Sequence, residues 1–79
     1  MPQNEEGAEL DKRLLAAHGA GDNRTLSRLY TQAGDLAESQ GQIEAACFYL
    51  THAYVFALEL GLPEAAQLRQ RLVLFGREE

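Results

Sequence analysis

The stretch Gln42–Leu60, QIEAACFYLTHAYVFALEL, decides the fold. Read at about 100° per residue, Ile43, Ala46, Leu50, Ala53, Ala57 and Leu60 fall on one helical face. Tyr49, Tyr54 and Phe56 flank that face, and the polar residues are few: Gln42, Glu44, Thr51, His52 and Glu59. A helix so apolar around its circumference is either buried in a core or inserted in a bilayer. A membrane span needs about 20 predominantly apolar residues, whereas Glu44 and Glu59 bound this run and His52 stands in its middle. The expectation is a core helix, with the rest of the chain as its cover.

Immediately upstream, Leu26, Leu29, Tyr30, Ala33, Leu36 and Ala37 form a second apolar stripe, opposite Arg28, Thr31, Gln32, Asp35, Glu38 and Ser39. Asp22 is its expected N-cap, with Asn23 as the alternative, since a short acceptor side chain satisfies the first free N–H groups of a helix. Gly34 sits at the edge of this stripe, where a missing side chain lets a neighbouring helix approach. Gln40-Gly41 separates the two helices, and so short a connection makes them an antiparallel hairpin. Further upstream, Leu10, Leu14 and Ala17 recur at helical spacing. Asn4 followed by Glu5 and Glu6 is the expected start there, and Gly19 the expected closing residue. Downstream, Gly61 ends the central helix, Pro63 opens the next, and Ala65, Leu68, Leu72 and Phe75 give it an apolar stripe from which Leu74 faces away. Gly76 stops it, leaving Arg77-Glu78-Glu79 as a solvated tail. No strand or hairpin dipeptide signal interrupts this pattern. The predicted fold is all-α, a single domain over residues 1–79, with helices over residues 5–18, 23–39, 42–60 and 63–75 in two antiparallel hairpins.

The chain has 79 residues and a formal net charge of −5. A domain of this size has a marginal core unless a disulfide, a metal or a second chain supports it. Cys47 is the single cysteine, so it forms no intrachain disulfide; among Ala46, Phe48 and Leu50 it reads as a buried structural thiol. The basic residues are scattered, and Arg69 and Arg71 lie two apart, off a common helical face. The acidic balance argues against nucleic acid and anionic membranes as partners. MPQNEEGAEL lacks the basic segment and apolar run of a secretory signal, and the expected location is the cytoplasm.

The second and third helices resemble a tetratricopeptide repeat (TPR). Tyr30, Ala33, Gly34, Ala37 and the turn residue Gly41 follow the large–small order of that family's first helix and turn. Ala46, Leu50 and Ala53 follow the small–large–small order of its second helix. The match runs from about Ser27 to Leu60. It departs from the family where Tyr30 replaces a tryptophan, Ala37 a tyrosine and Leu58 the closing proline; Pro63 comes five residues later, so the second helix should run about a turn longer. What the resemblance implies is TPR-like packing and a protein-binding adaptor role, with partner contacts on the first helix of the hairpin at Arg28, Thr31, Asp35, Glu38 and Ser39.

No catalytic constellation is visible. Thr51 and His52 are adjacent and point about 100° apart, and Gly19 and Gly21 lack the lysine of a phosphate loop. Cys47 and His52 are five apart, which suits neither ligand spacing on one helix face, and no closed metal set appears. No enzyme, metal or cofactor is expected. Glu44, Thr51, His52 and Glu59 share a polar sector of the central helix, but Phe48 and Val55 interrupt it one heptad apart. Either the first or fourth helix covers them, or they make an intermolecular contact. With Leu74, they are the candidate self-association residues of a homodimer. The alternative function is a helical domain that binds an apolar small molecule, Tyr49, Tyr54, Phe56 and Phe75 lining its cavity, or that serves as a small subunit of a larger complex.

Overall fold

A computed structural model describes the backbone of residues 2–76 and the side chains of residues 7–76. The protein is all-α. Four helices follow one another, α1 (Pro2–Ala20), α2 (Asn23–Ser39), α3 (Ile43–Leu60) and α4 (Glu64–Leu74), each antiparallel to the last. Packing runs strictly in chain order: α1 against α2, α2 against α3, α3 against α4. A closed four-helix bundle would also bring α1 to α4. The chain is instead an open array, 36 × 31 × 14 Å along its principal axes, whose short dimension holds no more than two helix layers at the usual 8–10 Å spacing.

The α2–α3 crossing is the tightest. Ser27 and Gly34 of α2, one heptad apart, are buried against the α3 face that carries Ala46, Leu50 and Ala53. A Cβ added to Gly34 would stand 2.7 Å from Leu50 Cδ2, so any side chain there would force Leu50 to shift. The Ser27 hydroxyl donates to the Ala53 carbonyl over 2.9 Å, which satisfies a buried polar group in the seam. Around this seam lie two apolar clusters. Cys47, Leu50, Ala53, Ala57, Leu62, Leu68 and Leu72 join α3 to α4. Ala17, Leu26 and Leu29 join α1 to α2, with Leu10, Leu14, Tyr30 and Phe56 packed against them.

The three inter-helix turns repeat one device. The N–H groups of Asp22, Gln42 and Leu62 donate to the carbonyls of Ala17, Ala37 and Ala57 at 3.0, 2.9 and 2.8 Å, the bond of a Schellman closure. The alanines, and the glycines Gly21, Gly41 and Gly61 at positive φ, recur at a spacing of 20 residues. A hairpin of two such units is longer by roughly a turn per helix than the ~34 residues of a tetratricopeptide unit.

The helix limits differ from expectation mainly in α1. It begins at Pro2, not beyond Asn4, because proline fits the first helical position without losing a bond. It runs through Gly19 and closes at Gly21, which takes φ 66°. The starts of α3 and α4 fall at Ile43 and Glu64, each within a residue of prediction. Ile43 and Leu60, read as part of the buried face, are exposed at the two ends of α3, beyond the reach of its neighbours. The expected tail, residues 77–79, lies outside the described residues. By length and composition α3 also meets the requirement for a membrane span; in this fold α2 and α4 occupy its core face.

Candidate interaction surfaces

Three surfaces stand out, and α2 carries the first. Arg28, Asp35, Glu38 and Ser39 are exposed and Thr31 is half-buried, so the expected partner-binding residues do reach the outside of α2. Two of them are already engaged. Arg71 reaches across from α4 and places Nη2 2.8 Å from Asp35 Oδ1 and 2.9 Å from Glu38 Oε1. Burial opposes the charge on Arg71, but its hydrogen bonds to the two carboxylates prevail and hold its pKa above the ordinary arginine value. The hydroxyls of Thr31 and Ser39 turn inward, donating to the Ser27 and Leu36 carbonyls at 2.8 and 2.7 Å. Arg28 lines a groove of about 160 Å³ with Arg24, Ser27, Thr31, Gln32, Leu62 and Glu64. The sequence alone did not single out the Arg71 clamp, because it joins helices 33 residues apart in the chain.

The second surface is the outer strip of α3. Phe48 is 58% exposed and Val55 45% exposed, and Leu58 beside them is also open. Neither α1 nor α4 covers them, which answers one of the questions the sequence left open. Glu44 and Glu59 close the strip at its two ends, and Thr51, its hydroxyl bonded to the Cys47 carbonyl at 2.7 Å, lies in the middle. A shallow hollow lined by Glu44, Cys47, Phe48, Thr51 and His52 runs along its edge. His52 belongs less to the polar sector than its position implied. Its ring lies 4.5 Å from Phe48 and 5.0 Å from Tyr30, centroid to centroid, and Nδ1 is 2.9 Å from the Phe48 carbonyl.

The third surface is the outer face of α4, the end of the array. Ala66, Gln67, Gln70, Val73 and Leu74 are all exposed on the side opposite Leu68 and Leu72. Leu74 is 81% exposed. No acidic residue falls between Ala66 and Leu74.

Tyr30 is a hub the sequence reading did not foresee. It stacks on Tyr49, His52 and Phe56 with centroids at 6.3, 5.0 and 6.0 Å, and its hydroxyl lies 3.0 Å from His18 Nε2. The four aromatic residues considered for a small-molecule cavity divide instead of converging. Phe56 joins the α1–α2 cluster and Tyr54 and Phe75 the α3–α4 cluster. Tyr49 borders an open groove of about 240 Å³ between α1, α2 and the start of α3. Cys47 is buried, as its neighbours implied. Among the described residues, no group of three or more His, Cys, Asp or Glu side chains is placed to hold a metal ion.

No family model, curated protein or solved structure matches this chain.

Proposed function

We propose that the chain is a small non-catalytic interaction module of the cytoplasm, TPR-like in its α2–α3 hairpin, that forms a homodimer and acts as an adaptor for a protein partner. The observation that carries this reading is the uncovered end of the array: Leu74 is 81% exposed on a face of α4 free of acidic residues. An open helical array leaves an apolar side at each end, and such arrays usually need about three repeats or a cap to be stable. A second copy supplies the cap. Antiparallel pairing of α4 about a twofold axis at Gln70 sets Ala66 opposite the partner's Leu74 and Val73 opposite the partner's Gln67, with Arg69 and Arg71 on the flanks of the helix and not on the facing side. A twofold contact through Phe48 and Val55 is less favourable. Antiparallel α3 helices would oppose Glu44 to the partner's Glu59, and parallel ones would oppose each glutamate to its copy. The α2 face is a narrower adaptor surface than the family resemblance implies, because Asp35 and Glu38 hold Arg71 and leave Arg28 as the charge among the five residues that is not engaged with α4.

Sedimentation equilibrium over a wide concentration range tests the dimer. The expected result is a concentration-dependent dimer that Leu74→Glu dissociates and Phe48→Glu leaves intact. A monomeric mass at every concentration would remove self-association from the reading.

A further inference from the structure

The geometry points to the outer strip of α3 as the docking site for an amphipathic helix of a partner protein, apolar along its centre and basic at both ends. This rests on the reading of the chain as an interaction module and supplies the chemistry of its partner. Phe48, Val55 and Leu58 are exposed along one sector of α3 and make it an apolar ridge, with the small Thr51 between Phe48 and Val55. Glu44 and Glu59 terminate the ridge, 15 positions apart, which at 1.5 Å per residue is about 22 Å. A straight ridge of that length matches one face of another helix of about four turns, seated by ridges-into-grooves packing along the hollow beside Phe48 and His52.

Charge decides which helix. Both ends of the strip are acidic, so a partner helix gains from Lys or Arg at both of its ends, in either direction. Like charges brought together across a contact are unfavourable, which disfavours a second copy of this chain at this strip. The net charge of −5 adds the same bias at long range. A basic, amphipathic helix is also the occupant that neutralises the glutamates as it covers Phe48, so that neither carboxylate is left against an uncharged wall.

The test uses two synthetic helical peptides of about 18 residues with the same Leu/Ala face, one carrying Lys at both ends and the other Glu. Fluorescence anisotropy against the full chain should show the Lys-flanked peptide binding at least tenfold more tightly, with affinity falling as salt rises. Phe48→Ser combined with Val55→Ser should weaken it at least tenfold. Glu44→Lys with Glu59→Lys should invert the preference between peptides, whereas Asp11→Lys, an exposed change on α1, should leave it unchanged. Circular dichroism confirms that each variant keeps its helicity, and any that does not is replaced by Phe48→Gln with Val55→Thr. Equal binding of the two peptides, or a preference that survives the charge inversion, would overturn the assignment. Binding of neutral phosphatidylcholine vesicles that Phe48→Ser abolishes would reassign the strip to a bilayer and overturn it equally. Because dimerisation through α4 is read by sedimentation, failure of the peptides leaves that result standing, and a monomer that still binds the Lys-flanked peptide leaves this one standing.

Discussion

Gly34 of α2 and Leu50 of α3 meet so closely that a Cβ on Gly34 would stand 2.7 Å from Leu50 Cδ2 and 2.8 Å from Leu50 Cγ, with the Ala46 carbonyl oxygen at 3.4 Å. Leu50 is fully buried, so moving it aside would disturb the seam. Gly34→Ala should gain about 1 kcal/mol of helix propensity and lose about 1–3 kcal/mol to overpacking. The expected net is a loss, growing in Gly34→Val. Urea denaturation checks it, and a midpoint that rises in Gly34→Ala would mean that the helices can part without cost.

Ala53 lies in the same seam, wholly buried, with its carbonyl accepting from Ser27 Oγ. Ala53→Leu should push α2 from α3 and lower stability by about 1–3 kcal/mol, a large share of a small domain's total. Ser27→Ala should cost less, about 1 kcal/mol, as expected for one neutral hydrogen bond. A Ser27→Ala loss as large as that of Ala53→Leu would place the hydroxyl, and not the close approach, at the centre of the seam.

Arg71 joins α4 to Asp35 and Glu38 of α2, whose backbones pack on α3 and not on each other. All three side chains keep substantial solvent contact, so each pair is worth about 0.2–1 kcal/mol. A double-mutant cycle of Arg71→Ala with Asp35→Ala and Glu38→Ala should show coupling of that size, reduced by salt. Helicity should survive Asp35→Ala with Glu38→Ala. If it does not, the clamp is needed to dock α4 at all.

Asp22 caps α2, accepting from the Thr25 hydroxyl at 2.6 Å and the Thr25 N–H at 3.2 Å. These bonds, the hydroxyl's first, hold its carboxyl below the ordinary value of 3.8. A depressed carboxyl stabilises the fold above its unfolded pKa, and that contribution disappears as pH falls through the folded pKa, in this case below 3.8. NMR titration should find the Asp22 carboxyl titrating below the ordinary value of 3.8, and Thr25→Val should raise it toward that value. A value unchanged by Thr25→Val would mean that the nearby arginines Arg24 and Arg28 set it instead.

The amino-acid sequence by itself determined four helices, their antiparallel order and most of their buried faces, because 3.6-residue periodicity and helix-stop residues are local properties that act before any tertiary contact forms. The stripe on α2 and the closure of α3 at Gly61 follow from that alone. The turn spacing is legible too, in Ala17, Ala37 and Ala57 with Gly21, Gly41 and Gly61, although Gly19 offers a competing stop two residues before Gly21. The true start and end of α1 depended on Pro2 and Gly21, between which no neighbouring helix forces an earlier stop. Only the tertiary structure decided that the array stays open, so that Phe48, Val55 and Leu74 remain outside. Periodicity ranks the faces of a single helix, but which second face is covered depends on where distant helices lie. For the same reason the α2 residues implied as partner contacts could be named from the sequence, while Arg71 could not. A salt bridge between helices joined only through a third is a property of their packing, and no spacing along the chain encodes it.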